Sequence, residues 1–335
     1  MITTNWGAAT DVGLVRHENQ DAFIAQMPLF VVADGMGGHA AGALASTLAV
    51  GEFSSLQAAG VPTVEAVARS IDDANCRIRA EAAISSGADG MGTTVVGLAL
   101  VSDHDQELWL VFNVGDSRLY RLWEDNLTQI TTDHSEVQEL VEAGAITSEA
   151  ARRHPDRNVI TRAVGISDEL VADFWLRQPE PGERFLLSTD GLTGEVADED
   201  IRRVLMAEAD PSVAATRLVE RALAMGGHDN VTAVVVDVIA AQELLGQEEG
   251  DTARSRPARG RDIPPRQLEE TEPVPLTLID SVPIAVRGSV GHAGDIRADS
   301  GTPTPPPQAM IDEVPGDGAP PRGGQTVESD RERKR

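Results

Sequence analysis

The sequence predicts an α+β domain in residues 1–240, followed by a disordered tail in residues 241–335. Runs rich in β-branched and aromatic residues follow one another, and the helical stretches cluster between these groups of strands. This pattern is typical of antiparallel sheets with separate helices. All 11 aromatic residues precede residue 241, and 13 of the 19 prolines follow it. A proline-rich tail without aromatic residues cannot offset the entropy that ordering would cost.

The first part of the domain predicts one buried strand and two helices. Residues 29–33 are a short apolar run that ends at an Asp-Gly pair, as a buried strand followed by a turn does. Residues 40–58 are rich in alanine, and residues 63–83 carry apolar side chains at helical spacing. Thr63 is a suitable N-cap for the second helix, because its hydroxyl can accept a hydrogen bond from a free N–H of the first turn.

The rest of the domain predicts further strands and helices. Residues 107–114 and 117–123 are joined only by Gly115 and Asp116, so they predict a β-hairpin. Residues 134–164 turn polar and helical, and they predict an insert that lies over the sheet. Further strands are expected at 93–101, 171–176, 184–188 and 231–239, and further helices at 198–207 and 212–225.

Charge and cysteine content exclude several classes of protein. The formal net charge is −26, and residues 1–240 contribute −21 of it, from 37 acidic side chains and 16 arginines. A domain so acidic does not suit the binding of DNA or RNA. The chain shows no 18-residue apolar run and no signal peptide, so no membrane span and a cytoplasmic location are expected. Its single cysteine, Cys76, excludes an intramolecular disulfide and a cysteine-rich zinc site. The helical position of Cys76 predicts a thiol that lies in the core or is partly buried.

Aspartates recur at the ends of the predicted strands. Asp34, Asp116 and Asp190 each follow an apolar run, and Asp229 precedes the last one. Each case alone is the ordinary signal of a turn. If the four strand ends share one rim, however, their carboxylates cannot all stay ionised unless a cation compensates them. Oxygen ligands without a Cys/His cluster suit Mg²⁺ or Mn²⁺ better than Zn²⁺, so the pattern predicts a divalent-metal site.

Several rival chemistries lack their motifs. The glycines that follow Asp34 do not have the spacing of a dinucleotide-binding loop, and the only lysine, Lys334, lies in the tail and cannot serve a P-loop. No Gly-x-Ser-x-Gly motif is present for a serine hydrolase. Cys76 is followed by Arg77 and Arg79, but it lacks the His-Cys-x5-Arg loop of cysteine phosphatases.

Six motifs occur in an order that resembles one enzyme family. They are Arg16-His17-Glu18-Asn19-Gln20-Asp21, Asp34-Gly35-Met36-Gly37-Gly38-His39, Met91-Gly92-Thr93-Thr94, Gly115-Asp116-Ser117-Arg118, Ser188-Thr189-Asp190-Gly191-Leu192 and Asp229-Asn230-Val231-Thr232. Over residues 5–239 the chain is similar to the metal-dependent (PPM, type 2C) serine/threonine protein phosphatases, and among them to the compact bacterial branch. Each motif alone is weak, whereas the ordered set is specific.

The resemblance implies a four-layer αββα sandwich, in which two antiparallel sheets are flanked by helices. It also implies two divalent ions, Mn²⁺ or Mg²⁺, at one end of the sandwich. Asp34 would bridge the two ions, the Gly35 carbonyl would bind one of them, and Asp190 and Asp229 would bind the other. Asp21 would hydrogen-bond a water held by the metal.

Further roles follow from the same resemblance. Asp116 matches a ligand of a third, weaker ion, and the insert matches a flap region in which Asn158 is a candidate additional ligand. Arg16 matches the arginine that grips phosphate, and its planar fork suits two phosphate oxygens at once. A hydroxide shared by two ions would attack phosphorus in line. The expected substrates are proteins phosphorylated on serine or threonine, and the expected partners are Ser/Thr kinases and their targets.

Two positions depart from some relatives. Gln20 replaces a glutamate, and its amide can still donate to water or accept from it. Met36 stands where eukaryotic relatives have a histidine that is proposed to protonate the leaving alcohol. The general acid is therefore unassigned here, and a metal-bound water is the simplest candidate.

A second hypothesis is a regulatory module that keeps the fold and the metals but acts by docking a kinase or an anti-sigma-type partner. The complete set of acidic ligands argues against this as the sole role. The regulatory role would be favoured if the Asp190→Ala protein functioned in cells as well as the wild-type protein does. In the tail, residues 302–307 (Thr-Pro-Thr-Pro-Pro-Pro) favour an extended conformation. They predict a recruitment or phosphorylation segment, and the alternative is an inert linker.

Overall fold

The computed structural model describes residues 2–38, 40–88, 90–103 and 106–240, which form two β-sheets with helices on their outer faces. The strands are β1 (Thr3–Asp11), β2 (Asp21–Gln26), β3 (Leu29–Met36), β4 (Gly92–Thr93), β5 (Val95–Asp103), β6 (Gln106–Val114), β7 (Arg118–Trp123), β8 (Asn126–Gln129), β9 (Asp173–Arg177), β10 (Arg184–Ser188) and β11 (Val231–Ala240). The helices are α1 (Ala40–Ala59), α2 (Val64–Ile84), α3 (Glu136–Glu142), α4 (Ser148–Ala151), α5 (Asp190–Thr193), α6 (Asp198–Ala207) and α7 (Pro211–Met225). The tail that the sequence predicts to be disordered, 241–335, lies outside the described residues.

The two sheets have different strand orders. One sheet runs β1-β11-β10-β7-β8, and the other runs β2-β3-β5-β6-β9 with β4 paired to β3. Neighbouring strands are antiparallel in both sheets. Because successive side chains of a strand point to opposite faces, β3 divides its residues between two cores. Phe30 and Val32 pack between the sheets, and Leu29, Val31 and Ala33 pack beneath the helices.

Three buried apolar clusters separate four layers of structure. α1 and α2 cover one sheet through a cluster in which the rings of Phe53 and Phe112 stack 5.5 Å apart. Between the sheets, Trp109 and Phe185 meet edge to face at 6.1 Å. α6 and α7 cover the other sheet through side chains such as Leu218. The layers therefore stack in the αββα order, and the predicted fold class is confirmed.

Most of the predicted elements are present. β10 and α6 have the predicted bounds, and α1 and α2 lie where the alanine-rich and amphipathic stretches predict them. Thr63 caps α2, because its hydroxyl accepts a hydrogen bond from the Ala66 N–H at 3.2 Å. The sequence did not predict β8 or α5, since four residues are too few to show a periodic pattern.

The predicted hairpin between residues 107–114 and 117–123 is wrong. β6 pairs with β5 and β9 in one sheet, whereas β7 pairs with β8 and β10 in the other. Gly115 and Asp116 therefore form a crossover that carries the chain between the sheets. Gly115 has a φ of +113°, and a Cβ there would lie 2.6 Å from the Cβ and Cγ2 of Thr94, so glycine is required.

The exposure of Cys76 also differs from the prediction. Its thiol is exposed rather than partly buried. α2 buries a stripe that includes Val67, Ile71, Ala74 and Ile78, and Cys76 lies off this stripe.

Among the residues that the structure describes, no helix is long and apolar enough to cross a membrane.

Candidate active site

Strand ends from both sheets bring carboxylates together at one rim of the sandwich. Asp21 begins β2 and lies opposite Asp34 of β3. Asp190 follows β10, and Asp229 precedes β11, which is paired with β10 in the other sheet. Burial raises the pKa of Asp34, and the charges of Asp21, Asp190, Asp116 and Asp229 raise it further, so these carboxylates share a small volume.

Asp21 connects the two sheets. Its Oδ2 accepts hydrogen bonds from the hydroxyls of Thr189 (3.0 Å) and Thr232 (2.6 Å), at the ends of β10 and β11. Its Oδ1 is buried and has no hydrogen-bond partner among the described residues. The pKa of Asp21 is raised to about 7, because burial and the charges of neighbouring carboxylates raise it by more than the two hydroxyls lower it.

Thr93 and Thr94, which directly precede β5, hold the backbone of Asp34 in place by hydrogen bonds. The Thr94 hydroxyl accepts from the Asp34 N–H at 3.1 Å, and the Thr94 N–H donates to the Asp34 carbonyl at 2.9 Å. The Thr93 hydroxyl donates to the same carbonyl at 2.8 Å. Burial raises the pKa of the Asp34 carboxyl well above its ordinary value, and Asp21 is the strongest charged contributor. Asp34 is therefore held rigidly in a position that disfavours its ionised form.

Asp190 and Asp229 come close together because a glycine follows Asp190. A Cβ on Gly191 would lie 2.0 Å from the carbonyl oxygen of Asn230, so only glycine permits this approach of the two chain segments. Burial and the charge of Asp229 raise the pKa of Asp190, while a hydrogen bond from the Asp34 carboxyl opposes the rise. The carboxyls of Asp34 and Asp190 thus lie within hydrogen-bonding reach of each other.

Arg16 reaches the rim from the loop between β1 and β2. Its Nη2 donates to Oδ2 of Asp229 at 2.6 Å. About half of the Arg16 side chain, 51 %, is exposed to solvent. Its guanidinium can therefore bind an anion that arrives from solution without leaving the rim.

Asn230 is a site residue that sequence reasoning missed. Its amide nitrogen donates to the carbonyls of Val12 and Glu18, each at 2.9 Å, and its Oδ1 accepts from the Gln20 N–H at 2.9 Å. Asn230 is 4 % exposed, and it holds the loop that presents Arg16. The signal in the sequence is the pair Asp229-Asn230, in which the motif predicts only the aspartate as a site residue.

The donor set of the rim suits hard divalent cations. Among the described residues, no group of three or more His, Cys, Asp or Glu side chains is arranged to hold a metal ion, and Asp229 is paired with Arg16 instead. The buried carboxyls nevertheless repel one another, and no described residue is a partner for Oδ1 of Asp21. Divalent cations with oxygen ligands would relieve both costs, so the residues present fit such ions.

A cavity of about 370 Å³ opens beside Asp116. Asp116 and Asp190 line it together with Arg157 and Asn158, which belong to the insert that also holds α3 and α4. A bridge between Ser135 and Ile160 closes the base of the insert. Asn158 therefore lies on the wall of the same cavity as Asp116, and the insert covers one side of the rim.

The family to which the chain belongs follows from a comparison with known proteins. A model of the family described as protein phosphatase 2C matches residues 16–226, which is more than half of the chain. The chain belongs to the protein phosphatase 2C family. The matched residues include Arg16, Asp34 and Asp190 and end just before Asp229.

Several bacterial protein phosphatase 2C relatives have similar sequences. The chain is 40 % identical over 242 residues to the serine/threonine protein phosphatase PstP of Mycobacterium tuberculosis; the match covers 71 % of this chain and 46 % of that protein. The chain thus spans about half the length of PstP. It is 34 % identical over 239 residues to the serine/threonine phosphatase stp of Listeria innocua, covering 68 % of this chain and 93 % of that protein.

Solved structures of the family share the fold. The crystal structure of PstP from Mycobacterium tuberculosis has a TM-score of 0.67 and 37 % identity, and the match covers 72 % of this chain and all of that one. The catalytic domain of PstP in complex with two manganese ions has a TM-score of 0.66 and 36 % identity, with the same coverage of both chains.

Proposed function

We propose that this protein is a metal-dependent phosphatase that hydrolyses phosphoserine and phosphothreonine monoesters in proteins. The observation that carries the proposal is the meeting of buried aspartates from both sheets at one rim, with Arg16 beside them. Membership of the protein phosphatase 2C family and the bacterial phosphatases among its relatives support it.

Within this proposal, the rim aspartates are the metal ligands. Asp34 would be a ligand of the ions, because its buried carboxyl lies within electrostatic reach of the other rim aspartates. The Gly35 carbonyl would bind one ion, and Asp190 and Asp229 would bind the other. When bound, the ions supply a water that loses its proton near neutral pH and attacks phosphorus.

The other site residues would orient water and phosphate. Asp21 has one buried oxygen without a partner in the described part of the chain, so it would accept a hydrogen bond from a water at the metal centre. Arg16 would exchange its contact with Asp229 for two phosphate oxygens, because a metal ion would take over the charge of that carboxylate. Its fork would then hold the phosphate in line for attack.

The identity and number of the ions are part of the proposal. Mn²⁺ and Mg²⁺ both prefer oxygen ligands of the kind that the rim offers. The PstP catalytic domain was solved with two manganese ions, which favours Mn²⁺ and two principal sites. Asp116 would add a third, weaker site, because its carboxylate lies within electrostatic reach of Asp34 and Asp190 and lines the adjoining cavity with Asn158.

The substrates and partners follow from the same chemistry. We expect phosphorylated proteins to be the substrates and Ser/Thr kinases to be the enzymes that this phosphatase opposes, in the cytoplasm. A net charge of −21 over residues 1–240 makes a nucleic-acid substrate unfavourable.

The proposal is tested by assaying the full chain on p-nitrophenyl phosphate and on a phosphothreonine peptide. Turnover is expected with Mn²⁺ and should be lost with EDTA. Asp190→Asn should lose at least about 100-fold of kcat, since it removes a ligand charge at the reacting centre. Asp168→Asn is the matched control, because Asp168 lies at the surface paired with Arg79. Folded wild-type protein that shows no Mn²⁺-dependent turnover would overturn the proposal.

A further inference from the structure

The crossover that presents Asp116 rests on a buried histidine, His134. Its Nδ1 accepts a hydrogen bond from the Gly115 N–H at 3.0 Å. The backbone completes the contact, because the His134 N–H donates to the Gly115 carbonyl at 2.9 Å. His134 is 5 % exposed, so these bonds form away from water.

The opposite side of the His134 ring is fixed by Asp173 at the start of β9. Since Nδ1 is an acceptor, a neutral ring carries its proton on Nε2. Nε2 lies 3.2 Å from Oδ2 of Asp173 and therefore donates to it. Arg162 donates to the other oxygen of Asp173 at 3.2 Å and completes the arrangement. Both ring nitrogens are thus used, and the ring has one orientation.

The same residue joins the crossover to the insert. The Thr161 N–H donates to the His134 carbonyl at 2.8 Å, and Arg162 follows directly in sequence. His134 therefore lies where the crossover between the sheets, the two ends of the insert and β9 meet. A displacement of this ring would move Gly115, and Asp116 with it.

We propose that His134 is a positioning residue for Asp116, acting through the Gly115 N–H to set where the Asp116 carboxylate stands against Asp190 and the cavity. This inference rests on the proposed function, in which Asp116 binds the third ion. The ordinary interpretation of a buried, hydrogen-bonded histidine is that it only stabilises the fold, and the two roles predict different behaviour for matched variants.

Three substitutions separate the two ring contacts. Asn places its Oδ1 near the position of Nδ1, so His134→Asn keeps an acceptor for Gly115 and loses the contact with Asp173. Gln places its amide nitrogen near the position of Nε2, so His134→Gln keeps a donor to Asp173 and loses the contact with Gly115. His134→Leu loses both contacts, and Asp116→Asn reports the loss of the carboxylate itself.

Two measurements on the metal-free full chain test the proposal. NMR hydrogen exchange of the Gly115 amide reports the brace directly, and calorimetric titration with Mn²⁺ reports the weakest binding step. We expect His134→Gln and His134→Leu to speed the exchange and to weaken that step by about 10-fold or more, as Asp116→Asn does. His134→Asn should stay close to wild type in both, and all variants should unfold cooperatively at similar temperatures.

Several outcomes would overturn the positioning role. The role is excluded if His134→Gln leaves both the Gly115 exchange rate and Mn²⁺ binding unchanged, or if the His134→Gln protein is unfolded. It is also excluded if His134→Asn and His134→Gln lose equally in both measurements, or if Asp116→Asn has no effect on Mn²⁺ binding. Failure of the proposed function looks different, since wild type would then bind Mn²⁺ without hydrolysing phosphoesters. The exchange rate and the Mn²⁺ titration would still decide the role of His134.

Discussion

At the scale of single residues, Asp21 is a carboxylate that the protein alone does not satisfy. Two threonine hydroxyls occupy one of its oxygens, and the other is buried without a partner among the described residues. A buried ionised group without compensation is costly, so the folded chain holds a proton there up to about pH 7. The site is therefore built around charge that something else must neutralise.

We predict that this proton makes the stability of the metal-free protein depend on pH. Unfolded Asp21 releases its proton near pH 4 and folded Asp21 near pH 7, so the folded state binds more protons in that window. Its contribution to the free energy of unfolding is then present below about pH 4 and is lost as the pH rises to about 7. The loss is on the order of a few kcal/mol, because each pKa unit is worth about 1.4 kcal/mol.

Thermal unfolding in EDTA at several pH values measures this loss, with Asp21→Asn as the reference. The stability of wild type relative to Asp21→Asn should fall as the pH rises, because Asn does not titrate. Added Mn²⁺ should stabilise wild type more at pH 8 than at pH 5. A difference between the two proteins that is constant with pH, or that grows as pH rises, would contradict the prediction.

Arg16 gives a second prediction at this scale. Arg16→Lys keeps the charge but loses the planar fork, so one charged hydrogen bond to phosphate is lost. Such a bond is worth about 1.5–3 kcal/mol, and kcat/KM should fall roughly 10- to 100-fold. Arg153→Lys is the control, since Arg153 is 84 % exposed and pairs with Glu149 at the surface. Equal kinetics of Arg16→Lys and wild type would remove Arg16 from phosphate binding.

At the scale of elements, α5 depends on the glycine that follows Asp190. Gly191→Ala would place a methyl group 2.0 Å from the Asn230 carbonyl oxygen and push Asp190 away from Asp229. We expect a loss of about 1–3 kcal/mol in the free energy of unfolding and weaker Mn²⁺ binding. Urea unfolding and Mn²⁺ titration measure the two effects.

Gly51→Ala is the matched control for this substitution. Gly51 lies in α1, where the nearest atom to a new Cβ would be 4.0 Å away. The helix should gain about 0.5–1 kcal/mol there, because alanine is the better helix former. If both substitutions change stability and Mn²⁺ binding alike, the close approach of the two segments is not what matters at Gly191.

The elements also show which parts of the fold could be predicted from the sequence. The capped α2 and the strand β10 follow from local chemistry, since Thr63 and the apolar run at 184–188 need no distant partner to be recognised. The β6–β7 connection was mispredicted, because Gly115 and Asp116 look like a hairpin turn until the packing of two sheets assigns the strands to different layers. Sheet membership is a property of the whole fold.

The candidate site shows the same division. Its aspartates could be predicted, because each ends or precedes an apolar strand and belongs to a recognisable motif. The roles of Asn230 and His134 could not, because their partners, such as Gln20 and Asp173, are distant in sequence. Hydrogen bonds of that kind leave no periodic pattern, so only the folded structure reveals them.

At the scale of the whole molecule, the site exists only where the ends of two sheets meet. Asp21 and Asp34 come from one sheet, Asp190 and Asp229 adjoin strands of the other, and Asp116 lies on the crossover between them. None of the described elements alone carries all of the proposed ligands. The αββα packing is therefore a requirement of the chemistry, and a change that shifts one sheet against the other should impair metal binding before it unfolds the chain.

A chain that ends after residue 240 keeps every described strand and helix. β11 lies between β1 and β10, and its pairing with β1 runs from Asp11–Val231 to Thr3–Ala240, so the described sheet is complete at that point. We expect residues 1–240 to fold and to hydrolyse p-nitrophenyl phosphate with the kcat/KM of the full chain. If residues 302–307 recruit a partner, the full chain should hydrolyse a phosphorylated protein faster than residues 1–240 do. The full chain should then also retain a partner in a pull-down, whereas residues 1–240 should not.

A matched full-length variant separates recruitment from mere chain length. Replacing Pro303, Pro305, Pro306 and Pro307 by alanine keeps the length and removes the preference for an extended conformation. Recruitment predicts that this variant behaves like the truncated chain on the protein substrate and like wild type on p-nitrophenyl phosphate. If truncation leaves activity, substrate choice and pull-down unchanged, the segment acts as a linker, because the chemistry and the recognition then both lie within residues 1–240.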